Sequence, residues 1–356
     1  MKILIINTGS TSTKLAVYNN CSKIWSTKIS YSNDDLSSFN YVYEQYEFRK
    51  NIIIRSLTES NIEIDFSVVI ARGGFLKPTI GGVYEINKRI IDDLRLSYVE
   101  HASNLSAPIA VYVASISKRK CVSYIADPIV TDELSDISRI SGLPELPRVS
   151  VFHALNSRAV SRNFALEINR RYEDMNIIVV HMGGGISISA HAYGKVIDIN
   201  NAVGGEGPFS PERAGSLPAA QLVKLCFSGK YSCNEILKKM NGNGGLYAHL
   251  GTTDVESIVN NIINGDNKSK LILDAMIYNI AKCVGSMHIA LKQKTDVIIL
   301  TGGIAYCKYV TDKLLEWLNN LAMIKIIPGE DEMDALAKNA FDAYNKNIVL
   351  QLYNPT

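Results

Sequence analysis

The sequence predicts an α/β protein of two similarly built domains, each a mixed sheet with flanking helices, with a ligand cleft between them. Three observations carry that expectation. At 356 residues the chain exceeds what one hydrophobic core usually serves. A single plan, an apolar strand followed by a small polar turn with glycine and a second strand, opens the chain and recurs near residue 180. After each copy, stretches of helical and strand periodicity alternate.

The first copy reads as strands over 2–7 and 13–18 joined by a tight polar turn, with a third strand near 24–30. The second copy runs from 177 to 191 around Gly183-Gly184-Gly185, and Gly194-Lys195 supplies the next hairpin turn before a strand over 196–199. Helical periodicity marks 85–97, 104–117, 151–172, 217–227 and 270–292, with strands at 66–71, 121–126 and 296–301. Two prolines in 143–147 break any helix and suggest a linker there. A final helix over 331–344 is expected to return to the first domain, which gives domains of 1–148 plus 332–356 and of 149–331.

Composition narrows the function. A chain 47% hydrophobic and 20% charged, without a low-complexity tract, is an ordinary globular protein. Its 37 basic and 35 acidic residues are interspersed and leave a net charge of +2, so nucleic acid is not an expected partner. The longest apolar runs, such as 3–6 and 177–180, fall far short of the ~20 residues of a membrane span. Asn7 and Gly9 interrupt the N-terminus before an apolar signal core develops, and a cytoplasmic location with no membrane partner is expected. Six scattered cysteines without a C-x-x-C pair are expected to be reduced and mostly buried.

A hairpin turn of small residues presents backbone N–H groups and hydroxyls at one point, which suits phosphate oxygens, and Lys14 adds a point charge. Taken alone, Gly9 reads as a plain hairpin turn. No Walker A loop and no complete G-x-G-x-x-G occurs. A third strand ends in Leu300-Thr301-Gly302-Gly303-Ile304, where paired glycines let a ligand approach the backbone closely.

Ten motifs follow one another along the chain: NTGSTSTKLAV (7–17), ARGGFLKP (71–78), EHASNL (100–105), ADPIVTDEL (126–134), RISGLPE (139–145), FHALNSRAV (152–160), HMGGGISISAH (181–191), DINNAVGGEGPFSPERAGSLP (198–218), LTGGIAY (300–306) and PGEDEMDALA (328–337). In kind and order they resemble the acetokinase family of the acetate and sugar kinase, Hsp70 and actin superfamily. Within that family, GEGPFSPER and EHASNL are similar to the branch whose acceptor is butyrate.

The resemblance implies two actin-like (ribonuclease H-like) domains. It implies ATP-dependent phosphorylation of a short-chain fatty acid, butyrate or a branched relative, to the acyl phosphate, reversibly and by direct in-line transfer. ATP/ADP and Mg2+ come with it, as does a homodimer or higher homo-oligomer. By similarity, Arg72 and Arg213 hold the carboxylate and the phosphoryl group in flight, a task suited to the planar guanidinium fork. His153 matches a donor to the phosphoryl oxygens. Asp127 and Glu332 match the acidic pair near the metal, with Asn7 beside them; Glu330, Asp331 and Asp334 lie close enough in sequence to compete with Glu332. The nucleotide contacts implied are Asn7, Gly9, Ser10, Thr11, Ser12, Lys14, His181, Gly183, Gly184 and Gly185 for the phosphates, and Gly302, Gly303 and Ile304 for adenosine. Phe152 and the loop Gly81-Gly82-Val83-Tyr84 are candidates for the acyl pocket or for scaffold.

Two positions depart from the pattern: Thr8 stands where that branch usually has proline, and Ser189 where glycine is common. A sugar kinase of the same superfamily would need an aspartate base at a hydroxyl acceptor and leaves the paired arginines unexplained. A nucleotide-dependent switch of the actin or Hsp70 type would be expected to carry a client domain or polymer contacts.

Overall fold

Residues 3–6 form a run in which every side chain is buried, as a strand covered on both faces requires. The computed structural model describes residues 1–97 and 99–355. It divides into two units, Met1–Thr131 with Asp331–Thr356, and Asp132–Glu330.

In the first unit, β1 (Lys2–Thr8), β2 (Ser12–Asn19) and β3 (Ser22–Ser30) form an antiparallel meander. β4 (Val68–Arg72), β5 (Val83–Glu85) and β6 (Val122–Ala126) complete the sheet in the order β3-β2-β1-β4-β6-β5, with β4 parallel to β1 and β6 parallel to β4. Leu4, Ile6, Leu15 and Val17 pack with Ile53 and Leu57 of the helix Tyr46–Glu59 and with Ile109 and Val113 of the helix Ser106–Ser115. The helix Glu332–Tyr344 lies in this unit and packs on β1 and β4, with Ala335, Leu336, Ala337, Asn339, Ala340 and Ala343 as its buried residues.

The second unit repeats the plan. β7 (Asn176–Met182), β8 (Ile186–Ala192) and β9 (Lys195–Ile199) are an antiparallel meander, and β10 (Val297–Gly302) and β11 (Met323–Pro328) run parallel to β7, in the order β11-β10-β7-β8-β9. Alternation along the strands divides the burial. Ile177, Val179, Val297 and Ile299 face Val160 and Phe164 of the helix Ala154–Glu167, whereas Ile178, Val180, Ile298 and Leu300 face Leu273, Ile277 and Ile280 of the helix Asn267–Ala290. Phe152, a candidate pocket residue, is instead packed with Leu134, Val196 and Ile199.

Three expectations need correction. The chain crosses from the first unit to the second at Thr131, ahead of the two prolines. Segment 132–148 is tied to the second unit by Ser135 N–H on Ile197 O (3.0 Å) and by Arg148 on Asp198 (2.9 Å). The return falls after Glu330 and not after residue 331. The cysteines are free thiols but not mostly buried: Cys21, Cys226 and Cys233 are exposed, on a hairpin turn and two short helices, and the other three are half-buried. Among the described residues no helix is long and apolar enough to cross a membrane.

Both departures from the family pattern are used in hydrogen bonding. The Thr8 hydroxyl donates to Ala102 O (2.7 Å) and lies 2.5 Å from Ser106 Oγ, tying the end of β1 to EHASNL. The Ser189 hydroxyl meets Nε2 of the fully buried His191 at 2.8 Å, whose Nδ1 meets Tyr172 OH at 2.8 Å. Burial, reinforced by the charges of Arg158 and Arg162, holds His191 down to about 3. The unfolded chain therefore binds a proton at this site below about pH 6.5 while the native protein does not, and stability falls with pH in that window. Between pH 7 and pH 5 we expect a loss of ~2 kcal/mol from this residue, absent in His191→Asn. Urea titrations at the two pH values check it; equal losses in both proteins would exclude the effect.

Candidate active site

In the first unit, β1 and β2 meet at the turn of Gly9, Ser10 and Thr11, closed by Gly9 N–H on Ser12 O at 2.7 Å. A residue that the sequence motifs do not include holds this turn from behind. Arg49, fully buried, donates from Nη1 to Gly9 O and from Nη2 to Ser10 O, both at 2.8 Å, and from Nε to Gln45 at 2.9 Å. Its guanidinium lies 4.5 Å from the Tyr31 ring centre. Among the described residues there is no cis peptide bond, and in a trans peptide the carbonyl and the next N–H point in opposite directions. Carbonyls drawn back onto Arg49 therefore aim the N–H groups of Ser10 and Thr11 outward. The signal lay in the helix period: Arg49, Ile53 and Leu57 share the buried stripe of their helix, a charge at a core position.

Asn7 and Arg72 end neighbouring strands and meet on one carboxylate oxygen, Glu332 Oε2, at 2.8 and 3.2 Å. The competing acids separate by their contacts. Asp331 caps its helix by accepting Asp334 N–H at 3.1 Å, Asp334 takes the Tyr18 hydroxyl and Lys23 (3.3 Å), and Glu330 lies in the second unit. Asp127 is buried in the left-handed region (φ 37°), which aspartate tolerates; it accepts Gly82 N–H on Oδ1 at 2.8 Å and donates its own N–H to Gly82 O at 2.9 Å. Loop 81–84 thus supports Asp127, and Val83 and Tyr84 are core residues.

Three motifs converge here. A Cβ on Gly73 would stand 2.6 Å from Pro128, and one on Gly74 would stand 2.8 Å from the Asn104 Cα, so ARGG, ADP and EHASNL pack only because both positions are glycine. Lys14, Ser10 and Thr11 are exposed around the turn.

In the second unit, β7 delivers buried His181 to the turn Gly183–Gly185, closed by Gly183 N–H on Gly185 O at 3.0 Å. The GEGPFSPER loop lies against this turn. Ser210 Oγ donates to Gly184 O at 2.6 Å, Glu212 N–H points at the same oxygen (3.4 Å), and the Arg213 guanidinium occupies the space where a Gly185 side chain would be. Arg213 Nε donates to Asn241 Oδ1 at 3.0 Å. His153 stacks on His181, ring centres 3.9 Å apart and 13° from parallel, and its Nδ1 lies 3.0 Å from Ser187 Oγ. Gly302 (φ 88°) abuts the Met182 backbone, which brings the turns after β7 and β10 side by side. The Ile304 side chain goes into the core, leaving only its backbone for a ligand.

The sheet plan, a meander continued by parallel strands and present twice, defines the class: two actin-like, ribonuclease H-like units. A crystal structure of an acetate kinase from Porphyromonas gingivalis has this fold, with a TM-score of 0.80 over 97% of this chain and 100% of that one, at 18% identity. The sequence pattern of the acetokinase family matches residues 147–343, and the chain belongs to that family. It is 52% identical over 355 residues to a probable butyrate kinase of Phocaeicola vulgatus, covering 100% of both chains. It is 51% identical over 340 residues to butyrate kinase 2 of Clostridium acetobutylicum, covering 95% of each.

Removing Arg49 strands two inward carbonyls. Arg49→Met is expected to lower the unfolding free energy by about 3 kcal/mol in urea, and Arg49→Lys to recover only part, because one ammonium cannot span both oxygens in plane. An unchanged midpoint for Arg49→Met would contradict the role.

Proposed function

We propose that the chain transfers the γ-phosphoryl group of ATP reversibly to a short-chain fatty acid, butyrate or a branched relative, giving ADP and the acyl phosphate. The observation that supports it most is one arginine in each unit held beside a candidate phosphate or metal group: Arg72 on the Asn7–Glu332 cluster, and Arg213 laid on the Gly183–Gly185 turn. Relatives named butyrate kinase at 51–52% identity point the same way.

A fatty acid with a pKa near that of glutamate, ~4.3, is already ionised at pH 7 and needs no general base. The barrier is repulsion between two anions. Like unit charges at about 4 Å cost roughly 4 kcal/mol at an effective dielectric of 20. Arg72 and Arg213 between them hold the carboxylate and the phosphoryl group in flight. A carboxylate oxygen attacks the γ-phosphorus in line, and the bond to the β,γ-bridging oxygen breaks, its electron pair staying with ADP. His153 donates to a phosphoryl oxygen. The N–H groups of Ser10, Thr11, Gly184 and Gly185, with Gly9, Ser12, Lys14, His181 and Gly183, hold the phosphate tail, while Gly302, Gly303 and the Ile304 backbone take adenosine.

The donor set fits magnesium. Asn7, Asp127 and Glu332 offer hard oxygens, and among the described residues no group of three or more His, Cys, Asp or Glu forms an all-protein cage, as suits an ion that keeps water and phosphate ligands. When bound it neutralises phosphate charge. The family also suggests a homo-oligomer built on a dimer, expected to exceed the monomer mass in light scattering at micromolar concentration.

A hydroxamate assay across a C2 to C6 acid series with ATP and magnesium tests the reaction, with acyl phosphate expected to peak near C4. None from any acid would exclude it. Arg213→Ala is expected to lower kcat by at least ~100-fold with ADP affinity little changed.

A further inference from the structure

A neutral His181 ring can donate to phosphate from Nε2 only if Nδ1 carries no proton, and its neighbours decide which nitrogen holds the one proton. Thr301 Oγ1 lies 2.9 Å from Gly329 O. A carbonyl has no proton to give, so the hydroxyl donates there and turns its lone pairs elsewhere. Facing them at 3.4 Å is the amide of Asn156, which is buried and whose same end lies 2.8 Å from His181 Nδ1. The atom that faces both must be the NH2 group, with one proton for each acceptor, because a carbonyl oxygen there would leave Thr301 without a donor. His181 Nδ1 is then an acceptor, and the neutral ring's one N–H is on Nε2, which lies 3.5 Å from Glu330 Oε2.

We propose that Asn156 is a positioning residue which, aimed by Thr301, fixes His181 as the Nε2–H tautomer so that it presents a donor beside the Gly183–Gly185 turn. The value of that donor rests on the nucleotide role given to the turn; the tautomer itself does not. The chain of bonds runs from the segment after β11, through Gly329, Thr301 and Asn156, to the histidine ahead of the turn. Every member lies in the second unit. His153, stacked on the same ring, limits rotation of His181 out of this arrangement.

The test is the long-range 1H–15N spectrum of the full protein labelled at histidine, with the His181 signals assigned by their loss in His181→Gln. The expected pattern is a pyrrole-like Nε2 and a pyridine-like Nδ1. Asn156→Asp replaces a donor with an acceptor and should put a proton on Nδ1; where that proton leaves Nε2, kcat should fall ~10- to 100-fold. Thr301→Val should give a smaller shift in the same direction. A wild-type ring protonated at Nδ1 alone overturns the proposal even if no variant folds, and so does an Asn156→Asp protein with unaltered ring signals. If the tautomer and its response are as expected but ADP leaves the His181 signals unmoved, the positioning holds and the nucleotide role of the turn is what fails.

Discussion

A hairpin turn becomes an anion site only when its carbonyl oxygens are held to the back, since peptide planarity then sends the N–H groups forward. Both glycine turns meet this constraint. Behind Gly9 and Ser10 stands a buried guanidinium, and behind Gly184 stands the hydroxyl of Ser210. The rest of each sheet serves to bring those backing groups into place: the helix Tyr46–Glu59 for Arg49, and the loop from β9 into GEGPFSPER for Ser210.

The two backings differ in charge. Among the described residues Arg49 forms no ion pair; it is satisfied by two carbonyls, the Gln45 side chain and the Tyr31 ring. A buried cation without a counter-ion is costly unless its donors are fully used, and here they also leave a positive potential under the turn. The second turn has a neutral backing and receives its cation from beside it, where Arg213 replaces the missing side chain of Gly185. Glycine at that position is thus a matter of space for a guanidinium.

Around Glu332 a different device operates. The acid opens a helix whose N-terminal dipole already favours a negative charge, and Asn7 and Arg72 converge on one of its oxygens. The helix start is held by Asp331 as cap and by the Tyr18–Asp334–Lys23 contacts one turn further along. A residue 325 positions from Asn7 is in this way fixed against the end of β1.

By itself the sequence determined the doubled strand-turn-strand plan, the return of the last helix, and the motifs ARGG, EHASNL and HMGGG, because alternation, glycine and proline act over a few residues. It set Glu332 among four acids without separating them, placed the linker at prolines that lie inside the second unit, and assigned Phe152 no single role. Tertiary structure decided these, since which carboxylate meets Asn7 depends on where a helix docks and not on its own residues. The same holds for Arg49 and Asn156, whose importance lies in what stands opposite them: two carbonyls 39 and 40 positions away, and one ring nitrogen 25 away. Long-range partners of this kind are set by packing, and no local pattern in the chain encodes them.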